Sequence, residues 1–150
     1  MTDDFSLDAA VLDQPAILAA LFHPRPSRAD AAPPIEDLTL PVQNEMIGAR
    51  WHPADPGAVT LLCFHGNGEL AEDYDDLGAV YVQRGINFLV VDYRGYGRST
   101  GWPTATTLLA DGVMILDFVT VWRRQQGHTG PLIVLGRSLG SASALELAYR

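Results

Sequence analysis

Three short apolar runs alternate along the chain with longer stretches whose apolar residues recur every three to four positions. The runs are Val59–Phe64 (VTLLCF), Asn87–Val91 (NFLVV) and Leu132–Leu135 (LIVL). Unbroken apolar runs of this length predict strands buried on both faces. The stretch from Glu69 to Arg84 predicts a helix. Glu69, Glu72 and Asp73 make its first turn acidic, Arg84 closes it and Gly85 follows, which suits the helix dipole and a glycine C-cap. Leu70, Tyr74, Leu77 and Tyr81 mark its expected buried face. A second helix, about Thr106–Arg123, is expected to bury Leu109, Val113, Leu116 and Thr120, and a third starts near Ser141. From Ala58 onward the order is strand-helix-strand-helix-strand-helix. That alternation predicts an α/β fold, a mostly parallel sheet with helices on both faces.

Upstream the pattern changes. Ile35–Val42 and Met46–His52 read as two shorter strands, joined as a hairpin through Gln43-Asn44-Glu45. Val11–Phe22 carries a rough apolar stripe with Pro15 near its start, as a short helix would. HPRPSRADAAPP then forms a proline-rich connector, extended or irregular. Residues 1–34 are therefore read as a lead-in, with the core beginning near Ile35 and running through Arg150.

Composition bounds the function. A chain of 150 residues with 47% apolar and 19% charged content fits one packed domain. A net charge of −8 argues against nucleic acid and anionic membrane surfaces as partners. The single cysteine, Cys63, has no intrachain partner and is expected to be a buried thiol. The N-terminus MTDDFSLDAA is acidic where a secretion signal is basic, and no apolar run is expected to approach a membrane span. A cytoplasmic location is the expectation.

The chemistry gathers at Gly136-Arg137-Ser138-Leu139-Gly140, a G-x-S-x-G between a strand and a small-residue helix start. This is the pattern of a nucleophile elbow, a sharp turn that lifts a serine hydroxyl clear of the sheet. The strain of such a turn requires neighbours without bulk, which Gly136, Gly140, Ser141 and Ala142 supply. A serine that N-caps a helix is the plainer alternative. Two further motifs precede it. His65-Gly66-Asn67-Gly68-Glu69 ends the Val59–Phe64 run, and DYRGYGRSTG, starting at Asp92, ends the Asn87–Val91 run.

These three motifs, in this order and over roughly Ile35–Arg150, resemble the N-terminal half of an α/β-hydrolase of the serine-hydrolase type, among them small esterases, thioesterases and peptidase-like members. The resemblance implies an incomplete α/β-hydrolase core and a carboxylic ester, thioester or amide as substrate, cleaved through an acyl-enzyme on Ser138. Acyl transfer puts negative charge on the carbonyl oxygen, and preorganised backbone N–H groups stabilise it. One donor is expected from Leu139, directly after the nucleophile. The other is expected from Asn67, because the family's donor follows its His-Gly pair. Gly66 and Gly68 allow close backbone approach there, although an ordinary tight turn would use the same residues. In the family the histidine at the place of His65 braces this loop, so His65 is not read as the general base. Asp92 is expected to cap the following turn, Arg94 and Arg98 to brace loops, and Tyr93 and Tyr96 either to line the site or to pack.

The chain departs from the family at one point. The triad acid and histidine follow the serine in that family. Only twelve residues follow Ser138 here, none a histidine, and Glu146 lies two turns along the next helix. His23 and His52 lie outside the motif loops, and His128 is expected at the opposite edge of the sheet. The expectation is a fragment that is inactive alone and self-associates through the exposed edge strand at Leu132–Leu135. No metal or cofactor is expected. Two alternatives stay open. One is a non-catalytic binding relative. The other is a dinucleotide-binding domain, since Gly66-Asn67-Gly68-Glu69-Leu70-Ala71 fits G-x-G-x-x-A with Asp92 about 20 residues on.

Overall fold

A computed structural model describes residues 8–150. The elements are α1 (Pro15–Leu21), β1 (Glu36–Val42), β2 (Glu45–His52), β3 (Thr60–Phe64), α2 (Asp75–Gln83), β4 (Asn87–Val91), α3 (Ala105–Gln125), β5 (Leu132–Gly136) and α4 (Gly140–Tyr149). The strands form one mixed sheet in the order β1-β2-β4-β3-β5. β4, β3 and β5 are parallel, while the β1–β2 hairpin joins antiparallel through β2 against β4. The hairpin turns at Gln43, whose φ of 54° lies in the left-handed region.

The apolar runs are buried on both faces because helices lie on both. Leu62, Phe64, Leu89 and Val91 face Leu108, Ile115 and Val119 of α3, together with Phe22, Tyr93 and Tyr96. Cys63, Phe88 and Val90 face the opposite way, towards Ala71 and Tyr74. Full burial of one such Leu, Val or Phe side chain is worth about 1.5–3 kcal/mol. These alternating residues therefore fix the strand register as well as hold the layers together.

Five expectations change. The helix after β3 opens as a 3-10 turn, Ala71–Tyr74, and becomes α-helical only at Asp75. Leu70 is still extended, with its N–H donated to Asp73 Oδ2. Leu77 is exposed, and the helix instead turns Gly78 inwards, where a Cβ would stand 2.4 Å from the His52 ring. In α3 the buried stripe runs through Leu108, Gly112, Ile115 and Val119, one position before the expected set. This helix is apolar around much of its girth, so period alone does not set its rotation. It is also long and apolar enough by length and composition to cross a membrane, contrary to expectation, although its buried face packs on the sheet. Finally, Phe22 belongs to the core, so the core starts well before Ile35.

Candidate active site

β3 sits between its two parallel neighbours, β4 on one side and β5 on the other. The chain leaving β3 passes to one face of the sheet through α2. The chain leaving β5 enters α4, which packs with α3 on the other face. The carboxyl ends of β3 and β5 therefore flank a topological switch point, where open α/β sheets form ligand crevices. The loops at those two ends are 65–70 and 137–139.

Ser138 has φ 51°, one of two non-glycine residues in the left-handed region among those described. Its side chain is exposed. Such a conformation costs on the order of 1–2 kcal/mol for an L-residue, and the surroundings hold it there. Gly140 N donates to Arg137 O at 2.9 Å and Ser141 N to Ser138 O at 2.9 Å, which closes the turn into α4. A Cβ on Gly136 would lie 2.4 Å from Gly140 O and 2.8 Å from Ala144 Cβ. The strand and helix thus meet at a distance only glycine permits.

The 65–70 loop is docked on this elbow. Arg137 N donates to Phe64 O at 3.0 Å, and Arg137 forms an ion pair with Glu69. Glu69 Oε2 also accepts from Gly66 N and from the Tyr74 hydroxyl, each at 2.7 Å. Glu69, expected as a first-turn acid, is thus the carboxylate that ties this loop to the elbow. Its position directly after Gly66-Asn67-Gly68 was the available signal for a part in holding this loop.

His65 is fully buried beneath the loop. Its Nε2 lies 3.0 Å from Asp92 Oδ1 and its Nδ1 2.8 Å from Gly66 O. Asp92 Oδ1 also accepts from Ala71 N at 2.9 Å, so Asp92 joins the ends of β3 and β4 and does not cap the turn after it. Tyr93 donates its hydroxyl to His65 O at 2.5 Å. Burial pushes the Tyr93 phenol well above its ordinary range, so it stays a neutral donor. Burial likewise pushes the Cys63 thiol up to about 12. Arg94 makes a bidentate pair with Asp111 at 2.7 Å, and Arg98 pairs with Asp30 and Asp37. Both arginines are held by neighbouring carboxylates.

Asn67 faces an unforeseen partner. Its Oδ1 accepts from His23 N at 3.0 Å and from the Tyr96 hydroxyl at 2.7 Å, and its Nδ2 lies 2.8 Å from His23 Nδ1. Neither Asn67 N–H nor Leu139 N–H has an acceptor among the described residues. Gly68, with φ 73°, carries the chain out of the loop.

The remaining histidines lie elsewhere. His128 packs edge-on to Trp51 at 5.1 Å between ring centroids, at the amino ends of the parallel strands. His52 is buried beside Asp75. Glu146 pairs with Arg150, four residues on in α4. Among the described residues no group of three or more His, Cys, Asp or Glu is arranged to hold a metal ion.

Comparison with known proteins agrees with this fold. Residues 55–150 match the family model described as serine aminopeptidase, S33. The chain is 30% identical to the protein YfhR of Escherichia coli K12 over 111 residues, which is 73% of this chain and 38% of YfhR. Among solved structures it is similar to a thioesterase domain from the curacin biosynthetic pathway, with a TM-score of 0.59 and 22% identity, covering 76% of this chain and 39% of that one. It is also similar to an esterase of Pyrococcus furiosus, with a TM-score of 0.61 and 22% identity, covering 81% and 51%. These two structural likenesses bear on the fold. The chain spans less than half the length of the curated relatives it matches.

Proposed function

The chain belongs to the serine aminopeptidase S33 family of α/β-hydrolases, and from that premise we propose that it is the nucleophile-bearing part of a serine hydrolase. In this reading Ser138 Oγ attacks the carbonyl carbon of an ester, thioester or amide. The tetrahedral oxyanion is received by the N–H groups of Leu139 and Asn67, and its collapse expels the alcohol, thiol or amine to give an acyl-enzyme on Ser138, which water then hydrolyses to the acid. The observation that carries it is Ser138 held exposed at φ 51° between two glycines, at the switch point of the sheet. A strained, exposed serine has no structural benefit to offset its cost, whereas a nucleophile does.

A serine hydroxyl is weak at neutral pH without a base. His65 is engaged at both ring nitrogens, and no histidine follows Ser138 in these 150 residues. The base and its orienting acid are therefore assigned to residues outside this chain, as its partial coverage of its relatives supports. Losing such a unit costs about 10⁶-fold, leaving roughly 10³–10⁴ over water from the oxyanion hole and binding. No metal or cofactor enters the proposed reaction. β5 is an edge strand with Ile133 and Leu135 exposed, and the chain alone is proposed to self-associate along it.

The test is turnover of short-chain p-nitrophenyl esters by the chain joined to its downstream reading frame. The reading expects activity that Ser138→Ala abolishes. Retained activity in Ser138→Ala overturns it. Absence of any turnover, with the fold intact, favours a non-catalytic binding relative.

A further inference from the structure

Two bonds between Gly66 and Glu69 close the loop that carries the Asn67 N–H, Glu69 N donating to Gly66 O at 3.2 Å and Gly66 N to Glu69 Oε2 at 2.7 Å, but neither engages Asn67. It is flanked by Gly66 and Gly68, the latter at φ 73°, and glycine leaves backbone torsions free. An oxyanion donor acts only if its direction is set before charge develops. Beyond that turn, what holds the Asn67 peptide comes through its side chain.

The proline-rich segment after α1 is placed to do this. His23 is exposed, yet its N–H donates both to Asn67 Oδ1 at 3.0 Å and to the Tyr96 hydroxyl oxygen at 2.8 Å. The Tyr96 hydroxyl donates to the same Asn67 oxygen at 2.7 Å. The Asn67 amide thus uses its oxygen twice and its nitrogen once, on the His23 ring. One step on, Arg25 Nε donates to Gly68 O at 2.8 Å and its guanidinium pairs with Asp73.

The segment is itself tied down at both ends. Phe22 is buried in the core. Gly97 N donates to Arg25 O at 2.9 Å and Ser27 N to Gly97 O at 3.2 Å. Ser27 Oγ donates to Glu72 at 2.5 Å, and Arg28 N donates to the same carboxylate at 3.0 Å. A flexible linker would make none of these bonds.

We infer that His23–Arg28 is a strap that positions the oxyanion loop, with His23 and Tyr96 as positioning residues that fix Asn67 through its side-chain amide. This rests on the assignment of Asn67 N–H as an oxyanion donor for its catalytic meaning, but the mechanical claim stands on the contacts alone.

Hydrogen exchange on the 150-residue chain separates the two. In Tyr96→Phe, which removes both bonds of the hydroxyl, amide exchange across residues 66–69 is expected to rise about tenfold, and in His23→Ala, which loses the ring contact but keeps the backbone N–H, about fivefold. Exchange across β3 and β4 should stay within about twofold of the parent. Unchanged exchange in the loop overturns the strap, and so does a uniform rise in loop and strands. In the chain joined to its downstream frame, the same variants are expected to lower kcat about tenfold with KM within about twofold. Loss in KM alone would overturn the positioning role. Absence of turnover in the parent would instead count against the nucleophile reading and leave the exchange result standing.

Discussion

A Cβ built on Gly140 would stand 2.0 Å from the carbonyl oxygen of Phe64 and 2.8 Å from that of His65. The first residue of α4 therefore lies directly on the end of β3, and the loop bearing Asn67 begins where the elbow ends. Gly140→Ala cannot be absorbed by a side-chain shift, because the opposing atoms are backbone. The substitution is expected to cost about 3 kcal/mol or more. Thermal unfolding would check it: a melting temperature within a degree of the parent would mean that the two loops are not packed as described.

Ser138→Gly should act in the opposite direction. Glycine adopts φ 51° without the penalty a serine incurs. The expected gain is about 1 kcal/mol, or roughly 2–4 °C in melting temperature for a chain of this size. The same variant should have no hydrolase activity. A substitution that stabilises the fold while removing the chemistry is the behaviour of a functional strain.

The buried pair of His65 and Asp92 supports the floor of the loop, with Ala71 N as a third member. Asp92→Ala would leave the His65 ring and the Ala71 amide without their acceptor in a dry site. The expected cost is about 3 kcal/mol. Chemical denaturation of Asp92→Ala and Asp92→Asn reads this directly, and the asparagine variant, which retains an acceptor oxygen, should lose less.

Much of this was legible in the chain. The apolar runs predicted β3, β4 and β5, and G-x-S-x-G between strand and helix predicted the elbow, because a sharp turn demands glycine at fixed places. The hairpin was legible on other grounds, as the polar break Gln43-Asn44-Glu45 between two strand runs. The rotation of α3 was not legible, since Leu108 and Leu109, Ile115 and Leu116 are equally apolar. The place of His23 was hidden for another reason. Its contacts span 44 residues to Asn67 and 73 to Tyr96, and no local pattern records a bond made across the fold. Proline content correctly marked the segment as irregular, but irregular backbone can still be tightly held.

Acidification should loosen that segment first. Burial pushes the Glu72 carboxyl upwards, but the Ser27 hydroxyl and the Arg28 and Ala29 amides outweigh it and hold the group below its ordinary value of 4.5. Hydrogen bonding, led by Thr106, likewise lowers Asp13, whose carboxylate accepts from Ala105 N at the start of α3. Each group has a lower pKa folded than unfolded. The stability they contribute is complete above the ordinary carboxylate range and is lost as pH falls through the lowered folded values. Melting temperature should therefore hold from pH 7 to about 5 and fall below about 4.5. Glu72→Gln should flatten part of that fall, and an unchanged pH profile in that variant would remove Glu72 from the account.

The most direct measurement is covalent labelling by a fluorophosphonate, with the modified residue located by peptide mass spectrometry. With the chain joined to its downstream reading frame, a single adduct is expected on Ser138, absent from Ser138→Ala and at least about 100-fold slower in the 150-residue chain alone. An adduct on another serine, or none in a folded protein, would contradict the assignment of Ser138 as the nucleophile.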